Sequence, residues 1–244
     1  MNRAKILVIE GTDGSGKETQ SKKLFEYLDG IGVKVKRYSF PIYESATGMI
    51  VGGPYLGKKE ISDSFFNETS ANVDPLVSSL YYAADRRYNF LKEIEGELYK
   101  NDIIILDRYT TSNMGHQAGK AKNDEERNKI LDFIEKLEFE LCELPRPDKV
   151  IFLYMPFEAS KELRKERTST DGNESSESHL RNAEKNYIEI AKRYNWSYIN
   201  CIKNKEYKDI NDIKSIDEIG EEVKKEALTL LKSESVKIKK MTRF

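Results

Sequence analysis

The chain has 244 residues, 41 Lys and Arg against 42 Asp and Glu, and a formal net charge of -1, a balance that argues against a coat for nucleic-acid phosphates. That length suits one α/β domain with a substantial core. The two cysteines, Cys142 and Cys201, lie far apart beside only two histidines, which argues against a disulfide framework or a structural zinc site, and the apolar run that Glu10 halts is too short for a signal or membrane segment; a reduced, cytoplasmic protein is expected.

The first strand is expected over residues 5–10, an aliphatic run that leads into a glycine-rich turn. A helix follows with Leu24 and Leu28 on one face and stops at Gly30-Ile31-Gly32. Residues 33–39 form the second strand. Asp74-Pro75 pairs an N-cap with a proline at the first helical position and opens a helix running towards Leu91 or beyond. The third strand is 103–107. Ile130, Phe133, Ile134, Leu137 and Leu141 make the apolar stripe of another helix, before a fourth strand at 149–155. Leu180, Ala183, Tyr187, Ala191 and Tyr194 repeat that pattern ahead of a fifth strand at 196–202. Ser215 and Glu218 are spaced as a capping box for a last helix carrying Ile219 and Val223 inward.

Strands buried on both faces and alternating with helices predict a mostly parallel sheet within one domain, residues 1–232. Residues 168–178 are polar and lie between two helices. Residues 233–244 are a lysine-bearing tail expected to fray.

The turn after the first strand reads Gly11-Thr12-Asp13-Gly14-Ser15-Gly16-Lys17-Glu18-Thr19 and opens a helix. This is the setting of a phosphate-binding loop. Glycines let successive N–H groups face one anion, the helix N-terminus adds partial positive charge, and Lys17 brings a full charge for the β- and γ-phosphates of ATP. Glu18 occupies the place where such loops put the Mg²⁺-binding hydroxyl, with Thr19 one step later. A carboxylate there can bind Mg²⁺ directly or through water, but it also repels phosphate.

Further along stand Phe40-Pro41 after the second strand, Asp107-Arg108-Tyr109-Thr110-Thr111-Ser112 after the third, Gln117, and Leu144-Pro145-Arg146-Pro147-Asp148 before the fourth. Together with the loop 11–19 and Gln20, this ordered set resembles the thymidylate kinases, from about residue 5 to residue 230. The resemblance implies a three-layer α/β fold of the P-loop NTPase type, with a five-stranded parallel sheet and a short lid at about 164–178. It also implies ATP and Mg²⁺ as cofactors, dTMP as acceptor, dTDP and ADP as products, and a homodimer for which the 130–141 stripe is one candidate face.

By the same resemblance, Lys17, Asp107, Arg108, Arg164 and Arg167 carry the chemistry. Asp107 holds Mg²⁺ through water, with Glu18 as a second candidate. Arg108 clamps the acceptor phosphate, and either lid arginine enters the site. Asp171 and Glu174 resemble the acidic pair of the family's lid. Tyr82 and Arg86, four apart on one helical face, stack on and hydrogen-bond the base. Asp13 meets the 3′-hydroxyl; Phe40, Ser112, His116 and Gln117 line the base and sugar pocket. The chain departs from the family pattern at Glu18, at Tyr43 near the place of a phosphate-gripping arginine, at His116 in place of an aromatic residue, and at Ser15, where some members carry an arginine. Two other readings fit the same residues: a deoxynucleoside kinase with Glu44 as base, and a nucleotide-binding protein without turnover.

Overall fold

The computed structural model describes residues 3–164 and 176–241. Its centre is a five-stranded parallel sheet of β1 (Lys5–Gly11), β2 (Val35–Ser39), β3 (Ile103–Asp107), β4 (Lys149–Tyr154) and β5 (Ser197–Asn200), in the order β2-β3-β1-β4-β5. The expected strands are all present, with the second and fifth shortened at their ends. Parallel pairing buries both faces, which is why β1 alternates Ile6 and Val8 into one apolar layer with Leu7 and Ile9 into the other.

α1 (Lys17–Gly30) and α8 (Ile216–Met241) cover one face, where Leu24, Leu28, Ile219, Val223 and Ala227 meet the sheet. The Ser215–Glu218 capping box forms as expected, with backbone N–H groups of both residues bonded reciprocally. α8 continues through residue 232 to Met241, so the tail expected to fray from 233 is helical up to that point. Beyond a short α2 (Ala46–Ile50), the other side of the molecule carries α3 (Pro75–Asn89), α4 (Thr110–Ala118), α5 (Asp124–Glu135) and α7 (Glu177–Arg193), with α6 (Phe157–Arg164) after β4. Asp74 caps α3 through its carboxylate, which accepts from the N–H groups of Leu76 and Val77.

Besides α2, which runs into a π-type turn at Val51–Tyr55, two helices do not keep a 3.6-residue period to their ends. α3 passes into a wider π-type turn at Phe90–Ile94, and α5 does so at Lys136–Leu141. The second turn rotates the stripe expected over 130–141. Ile130 and Ile134 are buried, Leu141 is 68% exposed, and Glu138, at 0%, takes the inward position instead. Among the described residues, no helix is long and apolar enough to cross a membrane.

Topology places the site. From β1 the chain crosses to β2 on one side of the sheet, while β4 and β5 lie on the other, so the strand order reverses beside β1. Open α/β sheets bind ligands outside the carboxyl ends of the strands at such a point. The register aligns Ile9 with Asp107 and Ser39 with Asp107, which brings the turn after β1 and the ends of β2 and β3 to one edge.

The tightest helix contact behind that edge is between α4 and α7. A Cβ on Gly115 would come within 2.0 Å of Cζ of the buried Tyr187 ring. Gly115→Ala is therefore expected to destabilise the fold by about 1–3 kcal/mol in urea unfolding. Gly96→Ala, where a Cβ meets nothing within 4 Å, should leave stability unchanged or raise it slightly.

Candidate active site

The turn after β1 is fixed before any ligand arrives. Gly14 and Gly16 both sit at φ +80, a conformation that suits only glycine without strain. Thr12 ties the turn to the end of β4, its hydroxyl donating to the Met155 carbonyl at 2.7 Å. Ser160 on α6 donates its hydroxyl to the Asp13 carbonyl. The Lys17 ammonium folds back over the loop, donating to the carbonyls of Gly11 at 2.8 Å and Thr12 at 2.9 Å.

Glu10, the last residue before the turn, is fully buried and accepts from the hydroxyls of Thr111 (2.8 Å), Ser112 (2.7 Å) and Tyr187 (3.2 Å) and from the N–H of Gly11 (3.1 Å). It locks the start of α4 and the middle of α7 onto β1. Sequence reasoning treated Glu10 only as the residue that halts the first apolar run. A carboxylate ending an all-aliphatic buried strand was the available signal.

Asp13 is the electrostatic centre. Its carboxylate lies 2.9 Å from Arg108, 3.9 Å from Lys17 and 3.9 Å from His116 Nε2. Burial alone would raise this carboxyl; the facing His116, Arg108 and Lys17 outweigh burial and hold it far below the usual carboxylate range. Burial and the like charge of Arg108 push Lys17 down to about 8, against the attraction of Asp13, Glu10 and Asp107. Arg108 itself takes φ +65 at the end of β3, a strained conformation for a residue with a Cβ.

Two spaces open from this cluster. A cleft of about 1250 Å³ is lined by Gly14, Gly16, Lys17, Glu18, Thr19, Ser39, Tyr43, Glu44, Lys58, Asp107 and Arg108, with Asp13, Phe40 and Pro41 at its inner end. A pocket of about 590 Å³ shares Asp13, Phe40, Pro41, Tyr43 and Arg108 and continues to Leu56, Tyr82, Arg86, Ser112, Asn113, His116 and Gln117. The first suits polyphosphate. The second mixes aromatic walls with a few polar groups, as small-molecule sites do.

The structure thus brings the candidate residues Asp13, Phe40, Tyr43, Tyr82, Arg86, Arg108, Ser112, His116 and Gln117 around one pocket, and Gly14, Gly16, Lys17, Glu18 and Thr19 with Asp107 around the adjoining cleft; Gly11 and the buried Ser15 do not line either space. The Arg164 side chain and all of Arg167, Asp171 and Glu174 lie outside the described residues. Of the 164–178 lid, Ser176 is the N-cap of α7, and residues 177–178 belong to its first turn.

Several side chains have partners the sequence did not announce. Glu18 is 68% exposed and lies 2.6 Å from Lys22, an i,i+4 ion pair on the outer face of α1. Asp107 accepts from Arg37 and Ser39, both at 3.1 Å. Among the described residues no group of three metal-ligand candidates occurs. Mg²⁺ is commonly held by one or two carboxylates together with phosphate oxygens and water. Asp107 and Glu18 both border the cleft, each beside a cation of the protein, Asp107 with Arg37 and Glu18 with Lys22.

Arg86 is 2% exposed and pairs with Glu138 through Nε at 2.5 Å and Nη2 at 2.7 Å. Asn113 donates to the same carboxylate at 2.8 Å. Two Arg86 donors are therefore committed to the protein, and the π-type turn that rotated Glu138 inward is what aims this arginine at the pocket. Asp85, one residue earlier, accepts from the Ile42 N–H, Ser45, Thr47 and Asn89, and so sets the loop that carries Tyr43.

His116 stacks on His179, ring centroids 5.5 Å apart, beside Tyr187. Burial pushes His116 down to about 3; Asp13 opposes this, while His179, Arg108 and Lys17 reinforce it. Burial and the charge of Lys120 push His179 down to about 4. Both imidazoles are neutral in the fold at neutral pH. Below pH ~6.5 the unfolded chain takes up protons that the fold refuses, so stability is lost as pH falls towards those values. Urea unfolding at pH 7 and pH 5 should show a loss of roughly 2 kcal/mol per histidine. His116→Phe should remove about one such share while Lys17-dependent chemistry at pH 7 is retained.

Comparison with known proteins agrees with this geometry. The family model described as thymidylate kinase matches residues 9–213. A thymidylate kinase of Prochlorococcus marinus (strain AS9601) is 31% identical over 202 residues, covering 83% of this chain and 90% of the relative. Another, from Prochlorococcus marinus subsp. pastoris, is 31% identical over 213 residues, covering 86% and 91%. A probable thymidylate kinase of Pyrococcus abyssi is 29% identical over 225 residues, covering 91% and 94%. With the family model matching residues 9–213, relatives 31% identical over most of both chains, and a glycine-rich turn and an Asp-Arg pair bordering two adjoining spaces, this chain belongs to the thymidylate kinase family.

Proposed function

We propose that the chain transfers the γ-phosphoryl group of ATP to dTMP, giving dTDP and ADP. The observation that carries this reading is that the two spaces share Asp13, Phe40, Pro41, Tyr43 and Arg108 as lining residues, which sets a donor polyphosphate in the Lys17 cleft beside an acceptor monophosphate at Arg108. An oxygen of the acceptor phosphate bonds to the γ-phosphorus as the bond from that phosphorus to the β-bridging oxygen breaks, and ADP leaves with the electron pair. The attacking oxygen is already anionic, so no base is needed, and catalysis consists of positioning and charge.

Lys17 and the loop N–H groups hold the donor phosphates, and Arg108 turns from Asp13 to the acceptor. The Tyr82 ring, packed edge-on against Tyr55 at 5.5 Å, walls the base, with Arg86 held for it by Glu138. Asp13, Phe40, Ser112, His116 and Gln117 take the sugar side. Asp107 would hold Mg²⁺, which when bound neutralises phosphate charge and orients the β- and γ-oxygens.

The reading includes a single kinase domain, a cytoplasmic setting and a homodimer. The dimer face is assigned to α3, where Leu76, Leu80 and, two turns on, Tyr88 are exposed on one side, rather than to the 130–141 stripe, whose Ile130 and Ile134 are core.

Coupled assay of the wild-type chain with ATP should show turnover on dTMP and little on thymidine. Thymidine phosphorylation without dTMP phosphorylation would make the chain a nucleoside kinase, and acceptor-independent nucleotide binding alone would make it a non-catalytic binder. Lys17→Ala should lower kcat by several orders of magnitude with the fold retained by circular dichroism. In sedimentation, the wild type should run as a dimer and Leu80→Glu as a monomer; a wild-type monomer would reject the α3 face.

A further inference from the structure

Three cations line the cleft over the phosphate-binding turn: Lys17, Lys58 and Arg108. Two are committed within the protein. Lys17 donates to two loop carbonyls and faces Asp13, and Arg108 lies 2.9 Å from the same carboxylate. Lys58 has no carboxylate partner among the described residues. Its ammonium stands over the ring of Tyr43, 4.1 Å from the centroid.

This position is built into the chain. Two residues after the π-type turn Val51–Tyr55 comes Gly57, where φ is +68, and the Lys58 N–H then donates to the Gly52 carbonyl at 2.8 Å. The Lys58 carbonyl accepts from Ile61 at 2.8 Å and from Ser62 at 3.1 Å. Tyr43 is set from the other side by Asp85, which accepts from the Ile42 N–H at 3.2 Å. An aromatic face attracts an ammonium without neutralising it. The charge is thus presented to the cleft instead of being cancelled, an arrangement that suits an anion arriving from solvent.

We propose that Lys58, carried on the Tyr43 ring, binds the 5′-phosphate of the acceptor nucleotide together with Arg108. The inference rests on the monophosphate kinase reading above and extends it to a residue outside every motif. Tyr43 borders both the cleft and the base-sized pocket, whereas Lys58 lines the cleft alone. A phosphate attached to a nucleoside in the pocket would emerge beside Tyr43, within the charge of Lys58. The ring serves as a positioning platform and the ammonium as the binding group.

The test is calorimetric titration of the full chain with dTMP, other nucleoside 5′-monophosphates, thymidine and ATP, for the wild type, Lys58→Met, Lys58→Arg, Tyr43→Phe and Tyr43→Leu. For whichever monophosphate the wild type binds, Lys58→Met should weaken affinity about 10- to 100-fold and flatten its salt dependence. Thymidine and ATP affinities should stay within about two-fold. Lys58→Arg and Tyr43→Phe should keep most of the monophosphate affinity, and Tyr43→Leu should lose part of it, which a purely structural role would not produce.

Unchanged monophosphate affinity in Lys58→Met would overturn the inference and leave the kinase reading intact. A loss falling on ATP would overturn it by assigning Lys58 to the donor. If the wild type prefers a monophosphate other than dTMP and Lys58→Met still loses it, the acceptor identity fails while the Lys58 assignment stands. A wild type that binds no monophosphate overturns both. Should Lys58→Met fail to fold, Tyr43→Leu and the salt dependence of the wild type decide.

Discussion

A carboxylate without access to water holds this site together. Glu10 ends the central strand with four donors around it, from Gly11, Thr111, Ser112 and Tyr187. A buried charge is tolerated only when its acceptor sites are filled. The groups that fill them belong to the phosphate-binding turn, to α4 and to α7. Position β1, and those three elements are positioned with it. The floor of the base-sized pocket, which α4 supplies through Ser112, Asn113, His116 and Gln117, follows from the same constraint.

On top of that frame lies a second layer of charge, which is mobile in function. Asp13 takes up Arg108, with Lys17 and His116 close by. Without phosphate, the loop must satisfy its own cations, and it does so with Asp13 and two carbonyls. A bound nucleotide offers those cations stronger partners, since charge-assisted bonds to phosphate are short and strong. Arg108 reaches Asp13 from a backbone position at φ +65 at the end of β3.

The walls are organised by buried pairs standing behind the residues that line the candidate site. Glu138 and Asn113 hold Arg86, Asp85 holds the Tyr43 loop, and Arg37 and Ser39 hold Asp107. Removing one member of a pair such as Arg86–Glu138 strands the other in a dry site, typically at a cost of about 3–5 kcal/mol. The supporting carboxylates are therefore as constraining as the groups that touch substrate. They lie on different elements from the residues they serve, the Asp85 support of its own helix and of Asn89 excepted.

Local chemistry was legible in the residues themselves. Continuous aliphatic runs, the Leu24–Leu28 repeat, Asp74-Pro75, Ser215 with Glu218 and the glycine spacing of 11–17 each act within a few residues, and each produced the expected element. Interactions across the fold were not legible. Nothing near Glu138 shows that α5 widens into a π-type turn and points it at Arg86, 52 positions away, while Leu141 turns outward. Glu18 is adjacent to Lys17, yet the helix that starts there carries it round to Lys22. Lys58 belongs to no motif and reaches the cleft only because Gly57 turns the chain towards Tyr43. The sequence by itself determined the strands, their caps and the phosphate-binding turn, since these depend on neighbours along the chain. Tertiary structure decided which charges face one another, because that depends on helix rotation and strand register summed over many residues.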